Sequence, residues 1–478
     1  MVFTSLNFLL FFPIVALLFY LTPVAYRWVC LLAASYFFYI NIKPVYALLL
    51  AGVTATTYLF TRLMDNTQND DVKKRYMFLS IILVLLPLFF FKYFGAINHE
   101  LTGVLQKMHL SWPMPEIRLL LPVGISFYTF MAIGYTIDVY NEDVPAEKNI
   151  GILALFISFF PLVLSGPIER AKNMLPQFNT HKPVEYNAIV SGLKMMLWGY
   201  FMKLVVADRI GLYVNVVFND VSAYNGSTLL LCSILYPFQV YADLGGYSLI
   251  AIGTARVLGF DVMQNFRRPF FAVSMAEFWR RWHISLITWI TDYVYTPLSF
   301  SFRKLGLSGV VLALLIAFLI SGIWHGAALT FVAWGLLQGI FLSAEAIMSK
   351  RRKRFENKFQ LANNWWYVLA CCLITFILFA ISQVFARATS LDNAFLVFRK
   401  IFTSGGAMYL DMTNLLYAFL GLAMLMASDF RDEFFPGRFL AFENPSTNIR
   451  YASYILVFYF IIFFGVLDSD TQFIYFKF

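Results

Sequence analysis

LSGVVLALLIAFLISGIWHGAALTFVAWGLLQGIFLSAEAIMSKRRKR, residues 307–354, holds two apolar runs, 307–324 and 327–348, parted by His325 and closed by Lys350, Arg351, Arg352, Lys353 and Arg354. Each run is long enough to cross about 30 Å of hydrocarbon as a helix. Arg303 and Lys304 precede the first run, so both outer ends of the pair carry positive charge. The positive-inside rule sets such ends at the cytoplasmic face. At a rise of about 1.5 Å per residue the first run climbs roughly 27 Å, which predicts His325 in the far half of the bilayer. The stretch reads as a membrane hairpin with an imidazole at its turn.

Working outward, further apolar runs lie near residues 6–22, 45–61, 76–97, 118–140, 149–165, 187–217, 227–250, 365–386, 412–428 and 451–466. Two stretches, 28–40 and the Trp-rich 275–299, fit either short spans or re-entrant segments shielded by protein. The expectation is an all-α polytopic integral membrane protein, a bundle of about 11–14 membrane helices with re-entrant segments around a central tunnel. Composition agrees: of 478 residues 60% are hydrophobic and 13% charged, against about 45–50% and about 25% in soluble domains. That balance excludes soluble, collagen-like, disordered and disulfide-scaffold classes.

The net charge of +9 fits cationic cytoplasmic loops rather than a nucleic-acid partner, because no basic stripe is interleaved with a nucleic-acid-binding motif. Lys73, Lys74 and Arg75 form the second cluster, and three spans before it place the N-terminus outside. The first 26 residues lack Lys and Arg, so the first run reads as a retained span rather than a signal peptide. No repeat is visible, and the polar loop 429–450 is too short for a domain, so one membrane domain is expected over 1–478. Cys30, Cys232, Cys371 and Cys372 sit in apolar stretches without metal spacing and read as small buried hydrophobes.

Ionisable groups inside apolar runs cost free energy unless they are paired or line a wet cavity, which singles out few residues. His325 lies beside Gly322 and Gly326, where backbone or ligand can come close, and His283 follows Arg280, Arg281 and Trp282. For each imidazole two readings stand: a core histidine satisfied by a backbone carbonyl, or a reactive group. With His283 near the inner half and His325 in the outer half, the pair suggests a tunnel. His99, His109 and His181 lie in polar loops and read as solvated. Asp243, beside Tyr241 in FQVYADLGGYSLIAIG at 238–253, is a membrane carboxylate, either functional or a partner for Arg280 or Arg281. No HExxH, GxSxG, phosphate loop or His/Cys metal spacing appears, which argues against a metalloprotease, a serine hydrolase and an ATP-driven pump, and no metal is expected.

PVGISFYTFMAIGYTIDVY at 122–140, FPLVLSGPIER at 160–170, FQVYADLGGYSLIAIGTARVLGFDVMQNFRRPF at 238–270, EFWRRWHISLITW at 277–289 and SGIWHGA at 321–327 together resemble the membrane-bound O-acyltransferase (MBOAT) family, in its bacterial alginate O-acetyltransferase branch. The motif-bearing core is 122–335. The resemblance implies catalytic roles for His325, the histidine of the WHG block, and His283, that of the RRWH block. This chain departs from the family pattern at Thr291-Asp292-Tyr293, where Arg-Asp-Tyr is usual, at Pro297-Leu298-Ser299-Phe300, where Pro-Leu-Gly-Gly is usual, and at Leu244-Gly245, where Phe-Ser is common.

The implied activity moves acetyl from cytoplasmic acetyl-CoA across a bacterial inner membrane. The implied acceptor side is an SGNH-type periplasmic transferase that decorates a polysaccharide or peptidoglycan. Arg280 and Arg281 suit the phosphates of CoA, or serve as positive-inside anchors. Trp279 and Trp282 belong to the same donor site, and Asp243, Tyr241, Trp324 and Gly326 to the tunnel wall. Alternatives are D-alanyl transfer from a carrier protein to teichoic acid, a eukaryotic-type lipid or sterol acyltransferase with a long-chain donor, and a secondary transporter using the histidines as a proton relay. Against the transporter stand the lack of two matching halves and the 42-residue spacing of the histidines.

Overall fold

The computed structural model describes residues 1–108, 121–361, 364–438 and 440–467. Among the described residues the regular structure is helical, and the chain is a multi-pass membrane protein. It divides into two compact units, Met1–Met195 with Ala251–Met263, and Met196–Ile250 with Gln264–Phe478.

The first unit contains α1 (Leu6–Leu21), α2 (Arg27–Ile40), α3 (Pro44–Asp65), α4 (Asp70–Lys107), α5 (Ile125–Tyr140), α6 (Ile150–Ser158) and α7 (Ala171–Phe178). Phenylalanine builds its core: Phe8, Phe11, Phe38 and Phe160 meet at centroid distances of 5.4–6.2 Å. On α3 the buried hydroxyls of Thr54, Thr57 and Thr61 bond back to the carbonyls four residues earlier at 2.8–2.9 Å, which satisfies them within their own helix. Gly124 starts α5 with φ of +80°, and any Cβ there would strike the carbonyl of Val163. Only glycine meets both demands.

Two expectations change here. The run 149–165 is not a span: α6 has nine residues and ends before Pro161, whose ring and missing N–H stop a helix. Seven consecutive residues, Ile152–Ser158, are buried, so protein rather than lipid surrounds it. The run 118–140 yields the 16-residue α5, and its positions 118–120 lie outside the described residues. His109 and the side chain of His99 lie outside them as well, while His181 is exposed.

From the first unit α8 (Tyr186–Tyr200) leads into the second, continuing through a π-helical segment, Phe201–Ala207, and α9 (Asp208–Asn219). Then come α10 (Gly226–Val257), the short α11 (Met275–Arg281), α12 (Ile284–Ile290) and α13 (Thr296–Ser301), the long α14 (Leu307–His325) and α15 (Leu329–Lys358), and α16 (Trp365–Arg387), α17 (Leu391–Thr403), α18 (Met412–Phe434) and α19 (Thr447–Phe464). Among the described residues nine helical stretches are long and apolar enough to cross a membrane, with Tyr186–Asn219 taken as one, and Leu6–Leu21 and Val24–Ile40 are shorter apolar helices. In the Trp-rich stretch 275–299, α11 has seven residues, and α12, a π-helical turn Thr291–Tyr295 and α13 run on without a break to Ser301, a stretch that is not among the nine long and apolar enough to cross.

The hairpin read from 307–354 is present. Its arms α14 and α15 touch at Gly322 and Gly335, where a Cβ on either would lie 3.0–3.1 Å from the other's Cα. Small residues allow such backbone approach between membrane helices. His325 is the last residue of α14, at the turn.

Candidate active site

Main-chain anchoring seats α11 first. Ser274 accepts a hydrogen bond from the Glu277 amide at 3.2 Å, and Glu277 Oε2 accepts one from the Val273 amide at 3.0 Å, a capping arrangement that closes the helix start. From α15, Glu345 Oε2 accepts from the Ala276 amide at 3.1 Å and Arg352 Nη2 donates to the Val273 carbonyl at 3.0 Å. So held, α11 buries Trp279 and Arg281 and exposes Arg280.

His283 follows in the left-handed region at φ of +44°, a conformation that costs a β-substituted residue of order 1 kcal/mol and persists only when its surroundings impose it. Asn265 does so. Its carbonyl oxygen accepts the Ile284 amide at 2.8 Å, and its side-chain Oδ1 accepts the Ser285 amide at 3.2 Å and the Ser285 hydroxyl at 2.9 Å. Asn265 Nδ2 donates to Ser248 Oγ at 2.9 Å, which orients the amide. His283 Nδ1, 3.2 Å from Asn265 Oδ1, therefore carries the hydrogen, and Nε2 keeps its lone pair. The ring is 2% exposed, and burial holds its pKa well below the ordinary histidine range.

His325 is half-buried. Its ring meets Trp324 at 4.8 Å, Trp334 at 4.8 Å edge-on, and Phe331 at 6.5 Å nearly parallel. Trp324 also meets His283 at 6.4 Å. The two imidazoles therefore share one indole as neighbour, although 42 residues separate them along the chain.

Other candidates disperse. Asp243 pairs with Lys203 at 2.7 Å, and Lys203 with Asp208 at 2.7 Å, all three 2–5% exposed. This corrects the alternative of an arginine partner for Asp243. The cause is the π-helical turn, which sets Lys203 and Asp208, five apart, on one side, while Gly246 lets α10 approach until a Cβ there would stand 3.0 Å from the Lys203 amide nitrogen. Arg281 Nη2 is bound by Glu277 at 2.5 Å and Glu433 at 3.0 Å, and Arg268 Nε reaches the same Glu433 at 3.1 Å, so Arg281 faces carboxylates where phosphates were expected. Tyr241 donates to Asp429 Oδ2 at 2.8 Å, and its ring lies 6.2 Å from that of Trp282. Trp282 stacks on Phe278 at 5.3 Å. Gly326 lies under the Phe331 ring, which a Cβ would strike, so protein rather than ligand takes up the room its missing side chain leaves. A cavity of about 620 Å³, lined by Trp198, Met424, Phe430, Arg431, Phe442 and Val457 among others, includes none of the candidates.

The family model for MBOAT, the membrane-bound O-acyltransferase family, matches residues 149–386. A Pseudomonas aeruginosa protein named "Probable alginate O-acetylase AlgI" is 34% identical over 408 residues, covering 85% of this chain and 75% of that protein. The chain belongs to the MBOAT family. A Helicobacter pylori peptidoglycan O-acetyltransferase is 32% identical over 397 residues, 77% of this chain and 72% of that one. A Bacillus subtilis teichoic acid D-alanyltransferase is 26% identical over 306 residues, 62% and 74%. The MBOAT chain is thus an O-acyltransferase, and the matched region contains both histidines.

Several residues that hold these candidates in place escaped sequence reading. Lys203 interrupts the apolar run 187–217 and Gln338 the run 327–348, so a search for every polar group in a span finds both. Asn265, Trp334 and Glu433 carry no such signal, since their importance lies in contacts with residues far along the chain.

The His283 geometry makes a pH prediction. Its folded pKa is depressed, so below about pH 6.5 the unfolded chain binds a proton that the folded chain refuses, and stability falls as pH falls. The loss at pH 5.5 is on the order of 1 kcal/mol. Thermal midpoints of detergent-purified protein at pH 7.5 and 5.5 check this, with His283→Asn, tolerated in the left-handed region, flattening the decline.

Proposed function

We propose that this O-acyltransferase moves an acetyl group from cytoplasmic acetyl-CoA to an extracytoplasmic polysaccharide or peptidoglycan hydroxyl through an SGNH-type periplasmic partner, with His325 as proton acceptor. The observation that carries the reading is the half-buried imidazole at the turn of a hairpin whose outer ends carry clustered cations, the pattern the positive-inside rule assigns to the cytoplasmic face. The cell-surface polymers in the names of the relatives support the acceptor class, and those bacterial relatives support the inner membrane as location.

In the proposed step the acceptor oxygen attacks the thioester carbonyl carbon while His325 takes its proton. The carbon–sulfur bond breaks, and the imidazolium returns that proton to the CoA thiolate. The collar of Trp324, Trp334 and Phe331 excludes water that would hydrolyse the thioester. His283 neighbours the same indole at 6.4 Å and helps to fix it. A passage linking the two compartments at His325 is part of the proposal.

The test is transfer of radiolabelled acetyl from acetyl-CoA to base-labile polymer acetate in membranes with wild type, His325→Ala and His283→Ala. Full activity in both variants overturns the reading. The arginines separate in the same assay. Arg280→Gln is expected to raise KM for acetyl-CoA about tenfold, the worth of one charge-assisted hydrogen bond to phosphate, with thermal stability unchanged. Arg281→Gln leaves Glu277 and Glu433 facing each other and is expected to lower the thermal midpoint instead.

D-alanyl transfer is the second reading, favoured by the likeness to the Bacillus subtilis enzyme. Turnover of free acetyl-CoA supports acetylation, whereas co-purification of a thiolated carrier protein supports D-alanylation.

A further inference from the structure

Gln338 lies in the first third of α15, is fully buried, and uses both ends of its amide. Its Oε1 accepts from Trp279 Nε1 at 3.2 Å and its Nε2 donates to Ser382 Oγ at 2.6 Å, while the Ser382 hydroxyl donates onward to the Phe379 carbonyl at 2.6 Å. The chain has one direction, because the Ser382 proton is committed and the indole can only donate. A carboxamide in a membrane span is costly until bonded, and replacing such a pair by apolar groups of like shape is nearly neutral for stability. Stability therefore gives little reason for an amide at this position.

What the amide holds is the Trp279 indole. That ring packs against Phe318 at 5.1 Å and edge-on against Trp334 at 6.0 Å, and Trp334 in turn meets His325 at 4.8 Å. Trp334 is 4% exposed, and its own N–H has no hydrogen-bond partner among the described residues. Packing alone fixes the Trp334 ring, so its attitude toward the imidazole is passed on from the neighbour that is anchored.

We propose that Gln338 is a positioning residue for the acyl-transfer site, setting His325 through Trp279 and Trp334. The inference rests on the reading of His325 as proton acceptor. Loosening the chain misplaces the base without removing a donor contact, so kcat falls and KM for acetyl-CoA holds.

The test measures CoA release from acetyl-CoA by native membranes carrying the full chain as Gln338→Met, Trp279→Phe, the double variant, Ser382→Ala and His325→Ala. Gln338→Met and Trp279→Phe are each expected to lower kcat about tenfold with KM within twofold of wild type, and each lowers the thermal midpoint because it strands one buried partner, whereas the double variant recovers the midpoint. The double variant is expected to be no slower than either single one, since both break the same link. Ser382→Ala keeps Gln338 but frees its amide to turn, and is expected to lower kcat by a smaller factor; it decides the matter should Gln338→Met fail to fold. Wild-type kcat in Gln338→Met or, failing that variant, in Ser382→Ala, alongside an inactive His325→Ala, overturns the proposal and spares the functional reading. Multiplicative losses in the double variant also overturn it. An active His325→Ala removes the functional reading itself.

Discussion

In membranes carrying His325→Ala, acetyl transfer falls by about 10²–10⁴-fold, the usual contribution of a positioned general base. The loss falls on kcat, because the collar of Trp324, Trp334 and Phe331 remains to receive the thioester. Rapid-quench labelling with acetyl-CoA, in membranes depleted of acceptor, separates direct transfer from an acetyl-imidazole on His325. Direct transfer leaves the wild-type protein unlabelled. Label in wild type that also persists in His325→Ala contradicts a covalent role for this ring. His283→Asn is expected to retain more activity than His325→Ala, because asparagine keeps the left-handed turn and His325 still packs against Trp324.

Removing Lys203 is expected to have the largest effect on stability. Lys203→Met leaves Asp208 and Asp243, 5% and 3% exposed, without their common cation at 2.7 Å. Breaking a buried pair by deleting one partner costs about 3–5 kcal/mol, because a charge is left uncompensated in a medium that solvates it poorly. Thermal unfolding in detergent, followed by fluorescence-detected size exclusion, reads the loss as a lower midpoint and a smaller folded fraction. The triple variant Lys203→Met, Asp208→Asn, Asp243→Asn is expected to recover most of it, since neutral amides carry a far smaller desolvation penalty. A Lys203→Met protein as stable as wild type shows that the three groups are not energetically coupled.

The contrast between these two positions shows how far a one-dimensional reading reaches. His325 was legible because three local signals coincide: two apolar runs of span length, cations at both outer ends, and an imidazole at the turn. Lys203 carries the same kind of signal, a cation within an apolar run, yet its partner Asp243 lies 40 positions away on another helix, and nothing local tells which carboxylate meets it. Arg281 misled for the same reason. Its guanidinium beside Arg280 suggests phosphate, but Glu433, more than 150 residues on, arrives on α18 and occupies it. The run 149–165 shows a different limit: its hydropathy is that of a span, but Pro161 ends α6 after nine residues, and surrounding protein makes the burial that lipid was expected to supply.

Composition and the hydropathy pattern alone determined that this chain lives in a bilayer, is helical and turns at His325, because the cost of exposing polar backbone to lipid leaves helices as the solution for apolar runs of that length; the likeness to acyl-transferring membrane proteins lay in the residue blocks around His283 and His325. Only the tertiary structure decided that His283 and His325 share one indole as neighbour, that Asn265 sets the tautomer of the first, and that Gln338 anchors the ring chain leading to the second. Those are contacts between residues brought together by helix packing, and their energies depend on distances of a few ångströms that no spacing along the chain encodes.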